Sequence, residues 1–104
     1  LTMLETQFSA AQLKRILDQS MIYMCACPAQ ICKQLSAVKN LYDYQAKCLN
    51  RTDTDHAVHR RIAESATRAY ADLEACLQDV LVLEGWDLET LEMPACLQKK
   101  MFDE

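Results

Sequence analysis

Six cysteines and two histidines are the residues of this sequence best suited to chemistry. Thiolate sulfur is a preferred ligand of Cu(I) and Zn(II), and paired thiols also act as redox switches. Three of the cysteines follow the spacing Cys25-x-Cys27-x4-Cys32. The others, which are separated along the chain, are Cys48, Cys76 and Cys96. Whether these thiols form a site depends on the elements that position them.

The composition predicts those elements to be helices. Gly occurs once and Pro twice in 104 residues, and 51% of the residues are hydrophobic. A β-rich domain needs many tight turns. The small number of turn residues in this chain therefore favours long helices with short connections. We expect residues 1–104 to form one all-α domain, an up-and-down antiparallel bundle of three long helices plus a short, broken fourth helix.

Two signals define the first helix and its boundary with the second. Ser9 and Gln12 match a capping box, and Phe8 with Leu13 matches a hydrophobic staple. Pro28 lacks a backbone N–H, so it should break the chain near residues 25–27 and open the second helix. The predicted buried face of helix one comprises Leu13, Ile16, Leu17, Ser20, Met21, Met24 and Cys27. That of helix two comprises Ile31, Leu35, Val38, Tyr42, Gln45 and Leu49.

The third helix is the best-defined element of the sequence. A polar turn over residues 50–55 precedes it, and Gly85 should end it because glycine accepts the left-handed conformation after a helix. Its predicted buried stripe comprises Val58, Ile62, Ala66, Ala69, Leu73, Cys76, Val80 and Leu83. Asp87 should cap a short segment over residues 88–93, and Pro94 should open a last helix through Met101.

This topology predicts a cluster of thiols at one end of the bundle. If a turn centres near residue 52, positions whose numbers add to about 104 lie opposite each other, because both helices have the same rise. The same reasoning, applied to a turn near Gly85, places Cys96 of the last helix opposite Cys76 of the third helix. The cysteines that converge are Cys25, Cys27, Cys32, Cys76 and Cys96. They are a candidate site for a soft metal ion, Cu(I) or Zn(II), or a dithiol switch. The alternatives are buried cysteines that pack as small hydrophobes, and disulfides in an exported protein.

A second and weaker metal candidate lies at the opposite end of the predicted bundle. His56 and His59 are three residues apart, which places both rings on nearly one helix face beside Cys48. The alternative is that both histidines are ordinary surface residues.

Charge and hydropathy exclude two classes of partner. The net charge is −4, with six basic against three acidic residues over residues 1–52 and five against twelve over residues 53–104. Without a concentrated basic stripe, we expect no nucleic-acid binding. No apolar run is long enough for a membrane span, so we expect none. Because the core does not need disulfides, we expect a cytoplasmic protein with free thiols. The cluster of Arg60, Arg61 and Arg68 is expected to pair with Glu64 and Asp72.

One segment resembles a known family. Residues 33–38, with the sequence KQLSAV, resemble the second helix of the copper-sensing repressor family. That family completes its copper site with a His-x3-Cys pair, but here His56 is followed by Arg60 and His59 by Ala63. The resemblance therefore carries neither copper ligands nor DNA binding over to this chain.

Two functions remain open at this stage. The sequence lacks a nucleophile elbow, a phosphate loop and a dinucleotide fingerprint, so we expect no enzyme. Leu41, Tyr44 and Cys48 form a second apolar face on helix two, which a homodimer or another protein partner would cover. We therefore expect a module that acts through self-association. The alternative is a thiol-based metal-binding or redox-responsive protein.

Overall fold

The computed structural model describes residues 4–22 and 27–95, and these ranges contain only helices and irregular segments. The three helices are α1 (Ala10–Ile22), α2 (Cys27–Lys47) and α3 (Asp53–Glu84). The prediction of an all-α chain is confirmed. No helix within these ranges combines the length and apolarity needed to cross a membrane.

The predicted start of α1 and the predicted end of α3 are confirmed in atomic detail, and α3 begins at Asp53, within the polar turn predicted over residues 50–55. The Gln12 backbone N–H donates to Ser9 Oγ at 3.1 Å, and Gln12 Oε1 accepts from the Ser9 N–H at 2.8 Å. Thr52 caps α3, its hydroxyl accepting from the Asp55 N–H at 3.0 Å. Gly85 ends α3 with φ of 81°. The Gly85 and Trp86 N–H groups then donate to two carbonyls of the last helical turn, as in a Schellman motif.

The first part of the predicted broken fourth helix is not formed, because residues 88–93 are not helical, whereas Ala95, directly after Pro94, is helical. Asp87 does cap the segment, since its Oδ1 accepts from the N–H groups of Glu89 and Thr90, but residues 88–90 form only a turn. Leu91 has φ of 58°, in the left-handed region, which stops helical propagation. The part of the predicted helix from residue 96 through Met101 lies outside the described residues.

The segment after α3 packs back onto α1. Arg15 donates to the Thr90 carbonyl and contacts a Glu92 carboxylate oxygen, each at 3.4 Å. The Met93 N–H donates to Gln19 Oε1 at 3.2 Å. Because Trp86 and Met93 are also buried in the main core, this segment covers one side of α1.

Two clusters of buried side chains hold α2 against α3. The larger contains Cys32 and Leu35 from the first half of α2 and Leu77 from the second half of α3. The smaller contains Tyr42 from the end of α2 and Ala63 from the start of α3. Of the predicted α2 face, Leu35, Tyr42 and Gln45 are buried, and Ile31 and Val38 are half-buried. Leu49 was placed wrongly; it is 69% exposed because α2 ends at Lys47.

The predicted face of α1 is confirmed in its centre and wrong at its edges. Ile16 and Ser20 are buried, and the Ser20 hydroxyl is satisfied by the Ile16 carbonyl at 2.8 Å. Leu13 and Leu17 are half-buried. Met21 is 73% exposed, since it lies about 100° around the helix from Ser20. Cys27 is exposed at the start of α2, and Met24 lies outside the described residues.

The prediction for α3 selected the wrong face. Only one member of the predicted stripe, Ala66, is buried. The stripe that packs against the rest of the chain comprises Ala63, Ala66, Tyr70, Glu74, Leu77 and Leu81. At 100° per residue, the two stripes differ by a rotation of about 100°. Helix α3 is therefore apolar on two faces, and its own chain covers one of them.

A buried carboxylate fixes α1 to this inner face of α3. Glu74 is 5% exposed, and its Oε2 accepts from the backbone N–H of Gln7 at 2.6 Å and of Phe8 at 3.0 Å. These donors directly precede the cap of α1. The carboxylate thus orders the chain entering α1.

Candidate functional site

The second apolar face of α3 is the most prominent feature of the described surface. We call this set the outer α3 face: Val58, Ile62, Ala69, Leu73, Cys76, Val80 and Leu83. Leu83 is 84% exposed and Val58 is 48% exposed. Ala69 and Cys76 are exposed, whereas Ile62, Leu73 and Val80 are half-buried at the edge nearest the core. From Ile62 onward its members recur, with Ala66, at alternating spacings of three and four residues, the pattern with which one helix packs along another.

Charged residues line the solvent side of the outer α3 face in two blocks of opposite sign. Arg61 and Arg68 flank its first half, and Asp72 and Asp79 flank its second half. Each pair is spaced by seven residues, so both pairs lie on nearly one side of the helix.

None of these four charges has an ion-pair partner among residues 4–22 and 27–95. The ion pairs within these ranges are Lys14–Asp18, Arg15–Glu92 and Lys39–Asp43. The expected pairing of the arginine cluster with Glu64 and Asp72 is therefore not formed there. Arg61 and Arg68 instead donate to the Ser65 hydroxyl between them.

A shallow, open groove of about 490 Å³ lies at the N-terminal end of the outer α3 face. Val58 and Ile62 line its apolar floor, and Asp53 and Arg61 lie at its polar margins. The second apolar face predicted for α2 is exposed as well: Leu41 is 46% and Tyr44 is 65% exposed, and Cys48 is half-buried.

The described cysteines differ in their surroundings. Cys27 and Cys76 are exposed, and Cys32 is buried. Burial raises the pKa of the Cys32 thiol to about 11, so it is protonated at neutral pH and packs as a small hydrophobe. Cys25 and Cys96 lie outside the described residues. In the part of the chain that is described, no three His, Cys, Asp or Glu side chains are placed to hold a metal ion.

The side-chain amide of Asn50, which was not predicted as a site residue, bridges the two histidines. His59 Nδ1 is 2.6 Å from Asn50 Oδ1, and His56 Nδ1 is 3.1 Å from Asn50 Nδ2. Because an amide oxygen accepts and an amide nitrogen donates, His59 is protonated on Nδ1 and His56 accepts there. Asn50 therefore joins the α2–α3 connection to the first two turns of α3. This arrangement is a structural clasp, and Cys48 takes no part in these two bonds.

Comparison with known protein families, with curated proteins and with solved structures finds no match to this chain. A function has to be argued from the described surface itself. The flanking charges were not predicted as site residues, although their signal is visible in the sequence: two basic and two acidic residues repeat at seven-residue spacing beside an apolar stripe.

Proposed function

We propose that this chain is a helical self-association module in which the outer α3 faces of two copies pack against each other. The observation that carries the proposal is the exposed apolar stripe whose flanking charges change sign at its midpoint. A two-fold axis brings the same patch of both copies together, so a stable homodimer needs a patch that complements itself. An apolar stripe with basic residues in one half and acidic residues in the other has this property.

The charges favour an antiparallel arrangement of the two α3 helices. In that arrangement Arg61 lies opposite Asp79 of the second copy, and Arg68 lies opposite Asp72. A parallel arrangement would instead place the charged flanks of the two copies on opposite sides of the interface, where none of the four charges meets its partner. Antiparallel packing also turns four unpaired charges of each copy into ion pairs.

The apolar residues support the same register. With positions adding to about 142 opposite each other, Ile62 packs on Val80 and Ala69 packs on Leu73 of the second copy. Leu83, the most exposed residue of the face, then lies over the groove that Val58 and Ile62 line. The largest protrusion of one copy therefore fills the recess of the other.

Within each copy, this proposal includes an antiparallel hairpin of α2 and α3 in a single domain. The clusters support the hairpin, because the start of α2 packs with the end of α3 and the end of α2 with the start of α3. Helix α1 covers one side of the hairpin. The outer α3 face, together with Leu41 and Tyr44 of α2, lies on the other side.

The size of the surface sets the expected affinity. From Val58 to Leu83 the face is about 38 Å long at 1.5 Å per residue. With its charged flank it is roughly 15 Å wide, so the two copies together bury about 1,100 Å². This area lies at the low end for specific interfaces, and we expect a reversible dimer with a dissociation constant in the micromolar range.

A pair of matched alanine variants tests the proposal. Ala69 lies in the outer α3 face, and Ala71 is exposed on a different side of the same helix. Ala69→Glu places a charge in the interface and should give a monomer in sedimentation velocity at concentrations where the unmodified chain is dimeric. Ala71→Glu should leave the dimer intact. A monomeric unmodified chain at high micromolar concentration, or equal effects of both variants, would overturn the proposal.

A further inference from the structure

An apolar cavity of about 410 Å³ lies between α1 and α2, on the side of α2–α3 away from the outer α3 face. Leu13 and Leu17 form its α1 wall, and Leu35 and Cys32 form its α2 wall. Tyr70 contributes to the wall from α3. Its volume falls within the roughly 300–1,000 Å³ typical of small-molecule sites, which are mostly apolar with a few polar groups.

The charged residues that line the cavity are all basic. They are Lys14, Lys33 and Lys39, and no acidic side chain lines it. Lys14 and Lys39 are each paired with an aspartate one turn further along the helix, at 2.8 Å and 2.9 Å. Among the described residues Lys33 has no carboxylate partner. Its charge at the cavity mouth is therefore available to a ligand.

The cavity wall also contains a hydrogen-bond donor. Tyr70 is only 1% exposed and contributes a phenol group to the wall. A phenolic hydroxyl can donate one hydrogen bond. Burial, with a smaller contribution from the nearby Glu74, raises the pKa of Tyr70, so the group stays a neutral donor.

We propose that this cavity binds a small amphipathic carboxylate with a fatty-acid-like chain. The chain lies among Leu13, Leu17 and Leu35, and the carboxylate is paired with Lys33 at the mouth. A carboxylate entering an apolar site needs a cation and hydrogen-bond donors to offset its loss of hydration. The cavity has both, and no acidic side chain is among the described residues that line it. This binding site goes beyond self-association and uses none of the residues of the outer α3 face.

Calorimetric titration of the full chain with three ligands of equal chain length tests the ligand class. Decanoate should bind with one site per chain at concentrations below its micelle-forming range. Decanol, which lacks the charge, should bind about tenfold more weakly, because one ion pair in a partly buried site is worth about a tenfold change in affinity. Decylamine should not bind. Equal binding of decanoate and decanol, or no binding of decanoate, would overturn the proposal.

Two substitutions assign the binding to this cavity. Lys33→Glu should weaken decanoate binding at least about tenfold, since it replaces an attraction by a repulsion. Lys47→Glu, at the exposed end of the same helix, is the matched control and should leave binding unchanged. Because Lys33 is exposed, Lys33→Glu should leave the fold intact, and circular dichroism checks this. If both variants bind decanoate equally, the site lies elsewhere.

A third variant separates this inference from the proposed dimer. Ala69→Glu, which should be monomeric, should still bind decanoate with unchanged affinity because Ala69 does not line the cavity. Loss of binding in this variant would show that the ligand occupies the dimer interface instead, and would overturn the assignment to the cavity.

Discussion

Removal of the Glu74 carboxylate is expected to destabilise the fold more than any other single change at a charged residue of α3. Oε2 of this buried side chain accepts two backbone N–H groups, from Gln7 at 2.6 Å and Phe8 at 3.0 Å. Glu74→Ala leaves the Phe8 donor buried without its partner, while the exposed Gln7 donor can bind water instead.

The expected magnitude follows from these two bonds. A hydrogen bond to a charged group contributes about 1.5–3 kcal/mol, and the Gln7 donor recovers part of this from solvent. We therefore expect Glu74→Ala to lower the free energy of unfolding by about 2–4 kcal/mol. Glu74→Gln keeps an oxygen acceptor without the charge, and should cost about half as much.

Urea unfolding followed by the fluorescence of Trp86, the single tryptophan, measures these differences. All variants are compared at one protein concentration, because self-association adds to the apparent stability. Glu64→Ala, at an exposed position of the same helix, is the control and should cost no more than about 0.5 kcal/mol. If Glu74→Ala and Glu64→Ala have equal effects, the carboxylate does not hold α1 in place.

Three further predictions concern single groups. Gly85→Ala should lower the free energy of unfolding, measured in urea, by about 1–2 kcal/mol, because the left-handed φ of 81° strains any residue with a Cβ. The added methyl group meets no atom closer than 3.9 Å, so it causes no clash. An unchanged unfolding midpoint would contradict this prediction. The backbone N–H groups of residues 89 and 90 lower the pKa of Asp87. The ionised carboxylate therefore stabilises the fold at pH values above its ordinary pKa of 3.8, and this contribution is lost as the pH falls through the lowered pKa. An NMR titration should therefore give a midpoint below 3.8 for Asp87, and a midpoint at or above 3.8 would refute the turn geometry. Iodoacetamide at pH 8 should modify the exposed Cys27, which lies outside the outer α3 face, well before Cys32, whose thiol is buried with a pKa of about 11; equal rates by mass spectrometry would show that the core around Cys32 opens readily.

Local signals in the sequence were sufficient to predict the start of α1, the polar cap before α3 and the end of α3, whereas α2 ends at Lys47, before the predicted Leu49. A capping box at Ser9, a polar cap before α3 and a left-handed glycine at residue 85 each act through neighbouring backbone groups. The first part of the predicted fourth helix, residues 88–93, did not form for a reason that is not local. Leu91 adopts a left-handed conformation that an isolated leucine avoids, and its side chain is 3% exposed in the core. Tertiary burial outweighed the intrinsic backbone preference there.

The buried face of α3 could not be predicted because the helix has two apolar faces. The pattern around Leu73 and Val80 is the more regular one, whereas the face that packs contains Tyr70 and the charged Glu74. Glu74 is buried because it satisfies backbone donors of a segment more than sixty residues away, which periodicity cannot reveal. The more regular stripe stays exposed in one copy, and this is why we assign it to a second copy.

Charge reversal on α3 tests the self-association proposal most directly. One variant carries Arg61→Glu and Arg68→Glu, and the other carries Asp72→Lys and Asp79→Lys. In the antiparallel dimer each variant alone has like charges at every flanking position, so both should be monomeric in sedimentation velocity. Mixed in equal amounts they restore attraction at all four positions, and a heterodimer should form that weakens at high salt. If either variant alone dimerises as well as the unmodified chain, or if the mixture stays monomeric, the outer α3 face is not the surface through which this protein associates.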